Sequence, residues 1–197
     1  ALEVLEVGKP WRESDADVVE AIDYLEYYSA RMVELAAPTT VGALAQRPGE
    51  SNRSLYIPRG ICVVIAPWNF PLAILTGMAS AALVAGNVVI LKPAAPSSVL
   101  AAWMAQYFHE AGAPPGALQF LPGPGEEIGA TLVRHPEVRL IMFTGSKAVG
   151  LSIVQAAAAV SSGQRFIKHV VIEMGGKNAI MVDDDADLDA AISGILV

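Results

Sequence analysis

The 197-residue sequence has one cysteine, Cys62, so no internal disulfide framework is possible, and the small disulfide-stapled scaffolds of secreted domains are excluded. Charge is also sparse: 17% of residues carry it, and the balance is acidic, −7. A clustered basic surface is missing, which argues against a nucleic-acid partner, because neutralising phosphates needs grouped Lys and Arg. Low charge beside 53% hydrophobic residues is not the composition of a disordered chain. From Ile61 to Leu91 there is no charged residue at all. Pro67, Asn69, Pro71, Gly77, Gly86 and Asn87 interrupt that run, whereas a membrane span needs about 20 continuous apolar residues. Strand, turn, helix, turn, strand fits it better. No basic start followed by a long apolar core marks a signal peptide. A reducing, cytoplasmic setting without a membrane partner is the resulting expectation.

What is present is helical at both ends and alternating between them. The segments "ALEVLEVG" and "ADLDAAISGILV" read as helices that begin and stop abruptly at Ala1 and Val197, so the chain is read as part of a longer protein. Val18, Val19, Ile22, Leu25, Tyr28, Met32, Val33 and Leu35 recur at helical spacing, with Ser14 as expected N-cap and Asp15 and Asp17 suiting the positive helix end. A polar, loop-rich passage, "PTTVGALAQRPGESNRS", marks the expected internal boundary. Strands are expected at 61–66, 87–91, 117–121, 139–143, 169–172 and 179–182, and helices at 72–84, 97–111, 126–134 and 147–159. Near-continuous apolar strands separated by helices indicate an α/β fold, a Rossmann-like parallel sheet covered on both faces. The expected division is 1–48 as a helical part, 49–60 as a bridging strand or linker, and 61–197 as the core.

Ligands of such sheets bind beyond the carboxyl ends of the strands, and several polar residues stand there. Asn69, in "APWNFP", is either a turn residue between prolines or an amide able to donate to a developing oxyanion, a role worth roughly 3 kcal/mol. Lys92, in "LKPA", either snorkels from a strand end or offers its ammonium donors to hydroxyls or phosphate. In "FTGSKAVG" a strand turns into a helix at Gly145 and Ser146, where backbone N–H groups and the helix dipole suit a pyrophosphate; a plain helix start is the alternative. Glu173 ends the buried-strand pattern of "VVIEMGGKNAI". A partly buried carboxylate has a raised pKa and suits a general base, though a capping or ion-paired glutamate fits too. Gly175 and Gly176 would let a flat ring approach the backbone.

"PWNFP", "LKPA", "FTGS" with Gly150, and "EMGGKNA" stand in the order and near the spacing of the aldehyde dehydrogenase superfamily, which the chain resembles along essentially its whole length. "EVGKPWRESDADVVEAIDYLEYY", "FHEAGAPPGALQFLPGPGEEIGATLVRHPEVRLIMFTGS" and "IEMGGKNAIMV" resemble, more narrowly, the pyrroline-5-carboxylate (glutamate-semialdehyde) dehydrogenase family. The resemblance implies NAD, with NADP possible, as cofactor and a small aldehyde as substrate. It implies oxidation to the acid through a cysteine thioester, glutamate γ-semialdehyde giving glutamate in proline degradation.

Roles follow for matching positions. Asn69 would be the oxyanion donor and Glu173 the base that activates water; Phe70 would wall the aldehyde tunnel. The cofactor would meet Ile65, Ala66, Pro67, Trp68, Lys92 (at its ribose), Ala94, Gly125 and Gly129 (flanking the adenine), Phe143, Gly145, Ser146, Val149, Met174 and Gly175. No metal is implied, and the full-length protein would be a homo-oligomer.

Two departures stand out. Ala95 occupies a position where the family often has a ribose-binding glutamate, which leaves NADP open. The family's nucleophilic cysteine would lie beyond Val197, and Cys62, within the apolar "GICVVIA", does not replace it because burial leaves a thiol inert. The 197 residues are therefore expected to be inactive alone. Another aldehyde or semialdehyde dehydrogenase, a non-catalytic nucleotide-binding piece, and fusion to a proline dehydrogenase all remain open on these residues.

Overall fold

The computed structural model describes residues 1–37, 47–52 and 54–196. Five strands form one parallel sheet: β1 (Ile61–Ile65), β2 (Val88–Lys92), β3 (Leu118–Phe120), β4 (Val138–Gly145) and β5 (His169–Met174), in the order β3-β2-β1-β4-β5. The helices are α1 (Leu2–Val7), α2 (Trp11–Ala36), α3 (Ala73–Val84), α4 (Ser98–Glu110), α5 (Ala130–Arg134), α6 (Lys147–Ala158) and α7 (Leu188–Ile195). The α/β expectation holds, and its reason is visible in burial. Cys62, Val63, Val64, Val89, Leu91 and Ile141 are fully buried, as strands covered on both faces require. One core cluster packs Val64, Val89 and Leu91 with Leu75, Ala79, Ala101 and Met104 of α3 and α4. The other, on the opposite face, packs Val63, Ile141 and Phe143 with Val133 of α5 and Ile153 of α6.

The amino-terminal helices are tied to the sheet layer by carboxylates acting at a distance. Neither α3 nor α4 receives a side-chain hydrogen bond from its own N-cap residue. Instead Asp17 accepts the backbone N–H groups of Leu72 and Ala73, both at 3.2 Å, and Glu6 accepts those of Val99 at 2.6 Å and Leu100 at 2.8 Å. First-turn N–H groups lack intrahelical partners, so these acids complete α3 and α4 and also meet the positive helix ends. Asp17 was expected to serve the start of its own helix, with Ser14 as N-cap. The structure corrects both: α2 begins at Trp11 after Pro10, which suits the start of a helix because it has no N–H to leave unpaired. Ser14 lies buried inside α2, its hydroxyl donating to the Lys9 carbonyl at 3.4 Å.

Three further expectations change. Residues 179–182 form no strand; among the described residues no neighbouring strand is there to pair with them, and Ile180 and Met181 are exposed. The strand ending in Glu173 is not buried: β5 is a sheet edge, Val171 is 52% exposed, and Glu173 is exposed. The apolar residues of α2 are only partly covered, with Val18, Val19, Ile22 and Val33 exposed. The described residues between 47 and 60 form no strand, and most of the expected boundary passage, 38–46 and Arg53, lies outside the described residues. Among the described residues no helix is long and apolar enough to cross a membrane.

Two predictions follow from the amino-terminal acids. Removing a side chain that caps a helix costs about 1 kcal/mol, so Glu6→Ala should lower the urea midpoint by that equivalent and speed amide exchange at Val99 and Leu100. Glu3 is 3% exposed, and burial, followed by the neighbouring Asp17 charge, raises its carboxyl to about 7 while Lys9 opposes the rise. A carboxyl whose folded pKa exceeds its unfolded value near 4.5 contributes stability below that lower value and loses it as pH climbs through about 7. Glu3→Gln should therefore melt close to the parent at pH 4.5 and above it at pH 8, by on the order of 2 kcal/mol, in paired thermal scans.

Candidate active site

All strands run in one direction, so their carboxyl ends share an edge, and register lines up the polar residues there. Ile65 pairs with Lys92 on one side and Phe143 on the other; Phe143, Thr144 and Gly145 pair with Ile172, Glu173 and Met174. Past β1 come Ala66, Pro67, Trp68, Asn69 and Phe70, and past β4 comes Ser146, whose hydroxyl accepts the Val149 N–H as the N-cap of α6.

A cavity of about 250 Å³ opens at this edge between the π-helical turn Gly125–Gly129, α5 and α6. Ile65, Lys92, Gly125, Gly129 and Val149 line it, together with Glu126, Ala130, Val133, Arg134, Ser152, Ile153 and Ala156. Ligand pockets run roughly 300–1,000 Å³, so the space suits one flat portion of a larger ligand. Its single ammonium is unusual: Lys92 is 4% exposed and donates to the Pro93 carbonyl at 2.9 Å, which leaves further N–H donors available. Burial lowers its pKa, and Glu126 opposes that shift. Apolar walls beside hydroxyl-seeking donors fit an adenosine ring and ribose, the group the sequence motifs imply.

The remaining expected residues lie around the cavity and do not line it. Ala66 is buried in the core, and Phe143 is buried under Gly145, where an added Cβ would stand 2.7 Å from the Phe143 ring. Ala94 accepts the Ser97 N–H and hydroxyl at the turn after β2. Met174 rests against Gly150, whose missing Cβ leaves space for its sulfur. Pro67 is half-buried, while Trp68, Asn69, Phe70, Ser146, Glu173 and Gly175 are exposed. Asn69 and Glu173 thus share the edge, on segments that leave strands β1 and β5, about two strand spacings or about 10 Å apart. The partial burial expected of Glu173 is absent. Glu126, Arg134 and the α6 residues Ser152, Ile153 and Ala156 were not anticipated. Helical spacing from Val149 (three, four and seven residues on) would have found the α6 set.

Cys62 lies at the middle of the sheet, fully buried, and burial pushes its thiol up to about 12. A neutral, inaccessible thiol is neither nucleophile nor metal ligand.

The aldehyde dehydrogenase family profile matches residues 1–197 in full. The chain belongs to the aldehyde dehydrogenase family. It is 52% identical to the 1-pyrroline-5-carboxylate dehydrogenase of Geobacillus thermodenitrificans over 193 residues, 98% of this chain and 37% of that protein. The Halalkalibacterium halodurans 1-pyrroline-5-carboxylate dehydrogenase 1 is 50% identical over 194 residues, covering 98% and 37% of the two chains. Among solved structures, Thermus 1-pyrroline-5-carboxylate dehydrogenase with bound NAD superposes with a TM-score of 0.93 at 51% identity, covering 98% of this chain and 37% of that one. Proline utilization A from Bdellovibrio bacteriovorus gives 0.94 at 52%, covering 98% and 20%. The chain therefore spans little more than a third of the stand-alone relatives.

Because its thiol is sealed in the sheet, Cys62 of the folded protein should resist an aromatic disulfide reagent and react fully only in denaturant.

Proposed function

We propose that the complete polypeptide carrying these residues oxidises L-glutamate γ-semialdehyde to L-glutamate, as in proline degradation, with NAD as hydride acceptor. The observation that carries this reading is 50–52% identity, along the whole chain, to proteins named 1-pyrroline-5-carboxylate dehydrogenase. Residues 61–197 then form the cofactor-binding core, with 1–48 as its helical part and 49–60 bridging them, in a cytoplasmic homo-oligomer.

The chain's own residues divide the work. Lys92 donates to ribose hydroxyls from the cavity, and Gly125, Gly129 and Val149 leave room for the adenine. The start of α6 at Ser146 faces the pyrophosphate with its positive end. When bound, the nicotinamide accepts the hydride leaving the substrate carbon. Asn69 donates its side-chain N–H to the oxyanion formed when a thiolate attacks the aldehyde. Glu173 takes a proton from the water that hydrolyses the resulting thioester. The thiolate itself is contributed from outside these residues, since Cys62 is sealed. Glu126 places a carboxylate in the cavity beside Lys92.

The test is the rate of NAD reduction by the complete polypeptide with glutamate semialdehyde, succinate semialdehyde and betaine aldehyde compared side by side. Highest kcat/KM on glutamate semialdehyde is expected, and Asn69→Ala should lower kcat about a hundredfold or more. Preference for another aldehyde would replace the substrate assignment.

A further inference from the structure

The turn that carries Asn69 has little means of fixing itself. Pro67 and Pro71 bracket it and bring no backbone N–H, and Trp68, Asn69 and Phe70 are all exposed. Two buried side chains hold it instead, Lys9 from the link between α1 and α2 and Asp17 from α2. The Lys9 ammonium donates to the Asn69 carbonyl at 3.0 Å and sits 3.9 Å from the centre of the Phe70 ring. It also pairs with Asp17 at 3.5 Å. Asp17 in turn takes the N–H groups of Leu72 and Ala73, where the turn enters α3. Lys9 is 8% and Asp17 1% exposed, so water screens these contacts weakly.

A buried ion pair is a poor device for stability alone, because desolvation offsets much of its attraction. It is a good device for fixing one geometry. Lys9 here bonds the backbone of one residue and caps the ring face of the next, while its counterion fixes the helix start three residues on. A shift of the Asn69 backbone would break the ammonium's contacts together.

The geometry points to Lys9, anchored by Asp17, as a positioning residue that holds the Asn69 amide where the oxyanion forms. Neither side chain lines the cavity at the strand ends, so both act through the turn. The inference rests on the proposed role of Asn69 in aldehyde oxidation.

The experiment uses the complete polypeptide with Lys9→Met, Asn69→Ala and their combination. Lys9→Met should lower kcat tenfold to a hundredfold, as small misplacements of catalytic groups do, with the dissociation constant for NAD changed less than about twofold. In the Asn69→Ala background the same substitution should cost less than about twofold, because coupled residues are not additive. Should Lys9→Met fail to fold, Asp17→Asn, which keeps an oxygen for the Ala73 N–H, should show a smaller loss of kcat and the same collapse of its effect beside Asn69→Ala. Wild-type kcat in the folded Lys9→Met protein, or a loss that persists without the Asn69 amide, overturns the inference. If the wild-type polypeptide oxidises no aldehyde, the functional reading fails by itself. Backbone NMR order parameters then decide the inference: clearly lower values at Asn69 and Phe70 in the Lys9→Met (or Asp17→Asn) protein support the hold on the turn, and unchanged values overturn it.

Discussion

The capping of α3 and α4 by carboxylates from another part of the chain is the constraint on which the rest of the structure depends. A parallel sheet must be covered by helices whose N-termini lie at the same edge as the ligand crevice. Their unpaired N–H groups therefore gather there. In this chain Asp17 and Glu6 reach across 55 to 94 residues to accept four of them. The first helices consequently cannot be regarded as an appendage. They complete the sheet's own helices, and one of the residues that do so, Asp17, lies next to the turn bearing Asn69. Sequence-local caps would have completed α3 and α4 equally well, but would have tied nothing to that turn.

The same edge holds most of the buried charges among the described residues. Lys92, Lys9, Asp17 and Glu3 are each less than a tenth exposed, whereas buried Lys168 stands at the other end, just before β5. Burying an ammonium costs several kcal/mol unless it is compensated, and Lys92 has one backbone carbonyl and the nearby Glu126 as its support. A site that tolerates this cost with donors left over is suited to a ligand that brings acceptors, and ribose hydroxyls do. Glu3 shows the opposite solution: beside Asp17, the less costly state is the protonated one. Below about pH 7 Glu3 thus adds no second negative charge beside Asp17.

How much of this was legible in the sequence follows from the range of the interactions. β1, β2 and β4 are written as apolar runs, and Lys92, Gly125, Gly129 and Val149 as motif residues at their ends, because both patterns are local. The paired ends of β4 and β5 follow from the parallel fold itself. Asp17 was legible as an acid near a helix start, but the helix it serves begins 55 residues later, and nothing in its own neighbourhood says so. Ser14 was misplaced because a serine before two aspartates imitates an N-cap, while Pro10 starts the helix a turn earlier. Residues 179–182 have strand composition without a strand beside them, and composition cannot supply the ladder. The cavity face of α6 was recoverable from Val149 by period; Glu126 was not, because it sits in a π-helical turn, whose side-chain directions depart from the α-helical repeat.

Glu173 and Asn69, in the roles proposed for them, illustrate two ways of completing a reactive group. Both were read as chemistry at a strand end, and the structure treats them differently. Asn69 is exposed, yet its backbone is gripped from beneath by Lys9, so the chain itself fixes where the amide lies. Glu173 stands exposed on the edge strand with Val171 and Met174 exposed around it, so its position is set by the β4 ladder while its side chain faces solvent. A base works through its environment as much as its position, since desolvation and nearby charge decide how readily it takes a proton. An oxyanion donor works through position above all, because a neutral amide has no protonation state to tune. These residues therefore contain what the donor needs and only the placement of the base. In the proposed reaction the step most dependent on surfaces outside this chain, apart from the thiolate itself, is the activation of water.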